Sequence, residues 1–212
     1  CDFFLGPGET RTFHYLNVIG EDPEAALAAY ERGQDGFGQL ASENEREFSS
    51  LVRSAFTPGN TAFSGHLPQL MTRDRSLWKI YYTGFTNLLS GRRASPDSAY
   101  GATYLTLSPR VLPTLSFLWD YSLTSLSLAL LDPHVLRKML EVWLALDMHK
   151  HWATDYLTGQ PTGPWYAIND AAILRCAHDY LRVTGDFAWL DKKIEGKPVV
   201  ERLLDHALYW KQ

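Results

Sequence analysis

The side chains best equipped for chemistry fall in two stretches. The first is Phe117-Leu118-Trp119-Asp120-Tyr121-Ser122, a carboxylate set among aromatic residues at the start of an apolar run. A carboxylate taken out of water costs roughly several kcal/mol unless it is hydrogen-bonded or neutralised. Asp120 therefore needs a partner, and two kinds suit it: the hydroxyl groups of a sugar, or the main-chain amides of a first helical turn. In the second stretch, Gly159, Pro161, Gly163 and Pro164 stiffen a loop that delivers Trp165, Tyr166, Asn169 and Asp170 in close succession. Aromatic faces pack on the apolar side of a pyranose, while planar amides and carboxylates take its hydroxyls in pairs. Capping of the following helix by Asn169 and Asp170 is the competing reading.

A third group, His149, His151 and Asp155, invites a metal. Histidines two apart leave a helix on different faces and suit an ion only on a strand or loop, so no metal and no cofactor is expected. The chain has no Gly-x-Ser-x-Gly elbow, phosphate-binding Walker loop, dinucleotide Gly-x-Gly-x-x-Gly or Cys-x-x-Cys. Its two cysteines, Cys1 and Cys176, make neither a zinc pattern nor a disulfide framework.

Composition narrows the partners. The 212 residues are 45% hydrophobic and 13% aromatic, which excludes a disordered chain and predicts a core built around many rings. A formal charge of −4 offers nothing to a phosphate backbone, so no nucleic acid is expected. The greasiest run, Val111 to Leu131, is broken by Pro113 and Asp120, and no membrane association is expected.

The elements that must position these residues read as follows. Thr10 to Ile19, rich in β-branched and aromatic residues, predicts a strand that needs partners elsewhere. Asp22-Pro23-Glu24 opens a helix, and a second runs from about Gly36 to Phe56. Further helices are expected over Ser76 to Ser90 behind Asp74, Leu115 to Leu131, a segment capped by Asp132-Pro133, Tyr166 to Thr184 closed by Gly185, and one beginning at Val199. The buried stripe of the fifth is Val135, Leu136, Met139, Leu140, Trp143 and Leu144. Such lengths suggest antiparallel hairpins stacked about an axis.

Pro113 to Pro133, with Phe-Leu-Trp-Asp-Tyr followed by Leu-Ala-Leu-Leu-Asp-Pro, resembles the first barrel motif of the six-hairpin glycoside hydrolases, the trehalases and processing α-glucosidases among them. Ala-Ile-Asn-Asp-Ala-Ala-Ile-Leu and the later Tyr-Leu-Arg-Val-Thr-Gly-Asp resemble the helix and turn one hairpin further on. The resemblance implies a mainly α fold, part of an (α/α)6 toroid preceded by a short β segment of an upstream β-sandwich. Residues 1–20 would be that segment, 21–56 a helical linker and 57–212 the N-terminal part of the barrel. It also implies a soluble, inverting, glucosidase- or trehalase-like hydrolase of carbohydrate metabolism. Trp119, Asp120, Tyr121, Trp165, Tyr166, Asn169 and Asp170 would be its substrate-binding residues, with Trp119 and Asp120 at the −1 sugar.

The family's acid, often in Glu-Ser-Gly-x-Asp, has no match here. The catalytic pair is therefore expected outside this chain, which would need the rest of its own polypeptide to act as a glycosidase on its carbohydrate substrate. The alternative is a non-catalytic helical carbohydrate-binding or scaffold domain.

Overall fold

The computed structural model describes residues 4–105 and 114–211. The chain divides into two compact units, Cys1–Leu51 and Val52–Gln212.

In the first unit, α1 (Pro23–Asp35) begins where its residue types require. Asp22 is extended, its carboxylate accepts from the amide of Ala25 at 2.7 Å, and Pro23 occupies the first helical position. A second helix, α2 (Phe37–Ala55), runs on from it across the division. The strand expected over Thr10 to Ile19 does not form. With no second strand among the described residues of this unit to pair with, β-favouring side chains have no ladder to join, and Tyr15 and Ile19 point to solvent at 94% and 93% exposure. The segment is held instead by side chains: Leu16 lies against Gly33, where an added Cβ would stand 2.7 Å from a Leu16 methyl, and the His14 ring sits 4.4 Å from that of Phe37.

Among its described residues the second unit holds five more α-helices and three small antiparallel sheets. Its first helix, α3 (Arg75–Ser90), is capped by Asp74, which accepts from Ser76 and Leu77. A hairpin follows, β1 (Arg92–Ala94) against β2 (Ala102–Tyr104). Next comes β3 (Leu115–Phe117), which leads directly into α4 (Leu118–Leu131), and then α5 (Pro133–Leu144). The long connection carries β4 (Ala153–Asp155) and β5 (Pro161–Thr162); β4 lies between β3 and β5, with Leu115 opposite Asp155. After α6 (Ile168–Thr184), a tight hairpin of β6 (Lys193–Ile194) and β7 (Lys197–Pro198) introduces α7 (Val199–Leu208).

This arrangement corrects the expected fold class. The unit is a mixed α/β domain whose sheets are interspersed among the helices, with no closed barrel, no six-hairpin toroid and no strand of an upstream sandwich among the described residues. Packing supplies the reason. Helices α4 and α6 lie against one another, α5 packs on both and α7 on α6, so apolar stripes are consumed in a local cluster instead of facing successive neighbours round a ring. Leu118, Tyr121, Leu128, Leu136, Met139, Leu140, Trp143, Ile173, Cys176 and Tyr180 form its centre. Leu115 to Phe117, expected as helix, is strand because β4 supplies its ladder.

Asp132 also departs from expectation. It makes no side-chain cap on α5; its carboxylate accepts from the Ser64 amide at 3.2 Å, the Ser64 hydroxyl at 2.7 Å and the Tyr104 hydroxyl at 3.0 Å. Ser64 in turn accepts from the amide of His134 at 3.0 Å and so takes over the capping role. Beside it the Gly65 amide bonds the Leu131 carbonyl, and a Cβ on Gly65 would lie 2.2 Å from the Leu130 carbonyl oxygen, so only glycine fits there.

Two carboxylates tie helices together. Glu141 on α5 accepts from Arg137 at 3.0 Å, Lys192 at 2.8 Å and the Trp189 indole at 3.2 Å. Burial works to raise its pKa, but Lys192 and Arg137 outweigh that and hold it below the usual carboxylate range. Asp179 on α6 accepts from the Ser125 hydroxyl of α4 at 2.6 Å and from Arg175 at 3.0 Å, and there too burial is outweighed and the pKa falls. A carboxyl group whose folded pKa lies below its unfolded one stabilises the fold above the unfolded pKa, and that stability is lost as pH falls through the folded one. The melting temperature is therefore expected to hold from neutral pH down to about 4 and to drop below it. Glu141→Gln should flatten the drop; an unchanged acid limb in that variant would contradict the assignment.

Candidate functional site

Two histidines from separate elements converge on one carboxylate oxygen of a third. Asp170 stands in the first turn of α6, where the exposed amides of a helix start favour negative charge, and is only 4% exposed. His149 lies in the loop after α5, its amide held by the Asp147 carboxylate at 3.2 Å. His206 is in the last turn of α7, which packs along α6. Nε2 of His149 is 3.0 Å and Nδ1 of His206 2.8 Å from Oδ1 of Asp170, and one ligand atom from each of the three residues lies within 4.8 Å of the others. The second oxygen, Oδ2, accepts from the indole N–H of Trp210 at 3.2 Å.

Aromatic rings enclose this group. Tyr209 stacks on His149 with centroids 3.6 Å apart and planes 12° from parallel, and Trp165 stacks on Trp210 at 5.4 Å. Burial lowers the pKa of His206 and outweighs the opposing pull of Asp170, which favours an uncharged imidazole with a lone pair to offer. Nδ1 of His149 has Asp147 Oδ1 at 4.0 Å on its far side. Against Asp170 and His206 opens a cavity of about 440 Å³, whose other walls include Ile168, Leu174, Ala207 and Trp210.

The residues proposed from sequence are distributed unevenly around this centre. Asp170 is its hub and Trp165 part of its rim. Trp119 and Tyr166 form a separate edge-to-face pair, with centroids 6.5 Å apart and both rings partly exposed. Asp120 is 7% exposed in the first turn of α4. Tyr121 is a core residue, its hydroxyl bonded to the Thr103 side chain and accepting from the Tyr104 amide. Asn169 is 1% exposed; its amide group donates to the His151 carbonyl at 3.3 Å, while its side-chain oxygen has no hydrogen-bond partner among the described residues.

His149 does not join His151 and Asp155. Asp155 instead accepts from the Leu157 and Thr158 amides of its own turn at 2.9 Å. Sequence reasoning missed His206, Tyr209 and Trp210 altogether. The one available signal was the spacing of His206 and Trp210, four apart and thus on one side of a terminal helix.

No protein family, no curated protein and no solved structure matches this chain. Together with the mixed α/β architecture, this overturns the reading as a six-hairpin glycoside hydrolase. Assignment to the hydrolases, glycosidase activity for an intact polypeptide and the alternative of a non-catalytic helical carbohydrate-binding or scaffold domain fall with it. The resemblance rested on short stretches whose residues have local work in this fold. Asp120 favours a helix start, and Gly185 closes α6 at a φ of 67°.

Proposed function

We propose that this chain binds a divalent first-row transition ion through His149 Nε2, Asp170 and His206 Nδ1. The observation that carries the reading is the convergence of two imidazoles and a carboxylate, from separate elements, to within 4.8 Å of one another. Imidazole nitrogen and carboxylate oxygen together suit ions of the zinc type better than magnesium or calcium, which prefer oxygen alone. Bonds of about 2.0–2.1 Å at tetrahedral angles set ligand atoms roughly 3.3 Å apart. The pairs at 3.0 and 2.8 Å open by a few tenths of an ångström to reach this, and the two imidazole nitrogens lie within 4.8 Å of one another.

An outer contact supports the same arrangement. The indole N–H of Trp210 holds the second oxygen of Asp170 at 3.2 Å. Such partners orient metal ligands and raise their basicity. Three protein ligands leave a fourth position open, on the pattern of sites that hold water or a bound molecule.

Titration calorimetry with zinc chloride on the full chain is the direct test. One ion per chain is expected, with magnesium giving no heat, and His206→Ala should weaken zinc binding by at least ~10-fold. Equal uptake of zinc by wild type and His206→Ala would show that the ion sits elsewhere.

A further inference from the structure

The cavity beside Asp170 and His206 joins two chemistries that are seldom adjacent: two of the proposed metal ligands, and apolar lining from Ile168, Leu174, Ala207 and the Trp210 indole. At about 440 Å³ it lies in the range of small-molecule pockets. Trp210 serves both parts, since its N–H holds Asp170 while its ring is 60% exposed and backed by Trp165.

Charge selects the occupant. A doubly charged ion bound by one carboxylate and two neutral imidazoles leaves a net positive centre with one open position. Without the ion the lining still includes Asp170, whose negative charge disfavours anions. We infer that, once an ion is bound, this site takes a compact apolar carboxylic acid, its carboxylate on the open metal position and its hydrocarbon or aryl body against Trp210, Ile168 and Leu174. The inference rests on the metal reading above and goes beyond it in naming the ligand class.

A neutral sugar fits the cavity less well. Outside Asp170 and His206 the lining carries little that would pair with successive hydroxyls, and burying unmatched hydroxyls is unfavourable. An alkylamine would favour the ion-free protein, drawn by Asp170.

The test uses the full chain and four probes: zinc alone, then benzoate, glucose and butylamine, each with and without zinc, read by tryptophan fluorescence and calorimetry. Benzoate is expected to bind zinc-loaded protein with a Kd on the order of 1 mM or tighter, at least tenfold more tightly than it binds the zinc-free chain, and glucose to give no saturable change. Ala207→Phe adds a ring from an exposed position on the cavity wall and so leaves folding and the three ligands in place. It should keep zinc affinity within about twofold of wild type while weakening benzoate at least tenfold.

If zinc binds but benzoate does not, or binds equally with and without zinc, the acid-binding inference is overturned and the metal reading stands. Benzoate binding that survives Ala207→Phe unchanged overturns the placement in this cavity. Saturable binding of glucose, or preference of the zinc-loaded protein for butylamine, overturns the ligand class. Failure of zinc to bind at all removes the metal reading and this inference together.

Discussion

Asp170→Ala is expected to abolish zinc binding and to destabilise the chain by about 3 kcal/mol, a large fraction of the roughly 5–15 kcal/mol that holds an ordinary domain together. The carboxylate is almost wholly buried and is the shared acceptor of two imidazoles and an indole. Removing it leaves those groups facing one another with no acceptor, and an unmatched buried donor costs more than a matched one contributes. The side chains of His149 and His206 keep 22% and 11% of their surface, so water can take up part of the loss, which places the figure at the lower end for a buried charged network.

Asp170→Asn separates the two roles. Its amide oxygen still accepts a hydrogen bond, so most of the stability should return, whereas zinc binding should not, because the negative charge is gone. Urea unfolding and zinc titration on the same three proteins give the answer. Full stability in Asp170→Ala would mean that the convergence of His149, His206 and Trp210 contributes nothing to the fold.

Trp143→Ala should be the most damaging single change in the core, at about 3–5 kcal/mol. Trp143 is fully buried on the inner face of α5, in the same cluster as residues of α4 and α6, so its loss opens a cavity at the centre of the helix group. Leu123 is the matched control. It is equally apolar but 71% exposed on α4, and Leu123→Ala should fall within about 0.5 kcal/mol of wild type. Comparable shifts in the urea midpoints of the two variants would show that the helix group is not the stabilising centre of this unit.

Several elements were legible because their causes are local. Asp22 with Pro23, Asp74 and Gly185 mark helix ends through contacts confined to a single turn, and all three ends form where those residues stand. Val135, Leu136, Met139, Leu140, Trp143 and Leu144 announce a buried stripe by spacing alone; the last five are buried and Val135 is half-buried at its edge. The short strands were not legible. Leu115-Ser116-Phe117 reads as the start of a helix until Ala153 to Asp155 arrive beside it, and Thr10 to Ile19 reads as a strand although none of the described residues pairs with it. A strand is a property of two segments, and a pairing between residues far apart leaves no trace in either one.

The candidate site divides along the same line. Asp170 and Trp165 were visible as a carboxylate and an aromatic ring near a helix start, and the preference of a first turn for negative charge follows from sequence alone. That Asp170 faces His149 and His206 was settled only when α7 packed along α6 and the loop after α5 closed over both. Residue type and spacing carry information over about one helical turn, which is the range of capping and of side-chain contact along a helix. Convergence across three elements depends on how their apolar faces dock, and that is decided by the whole core at once.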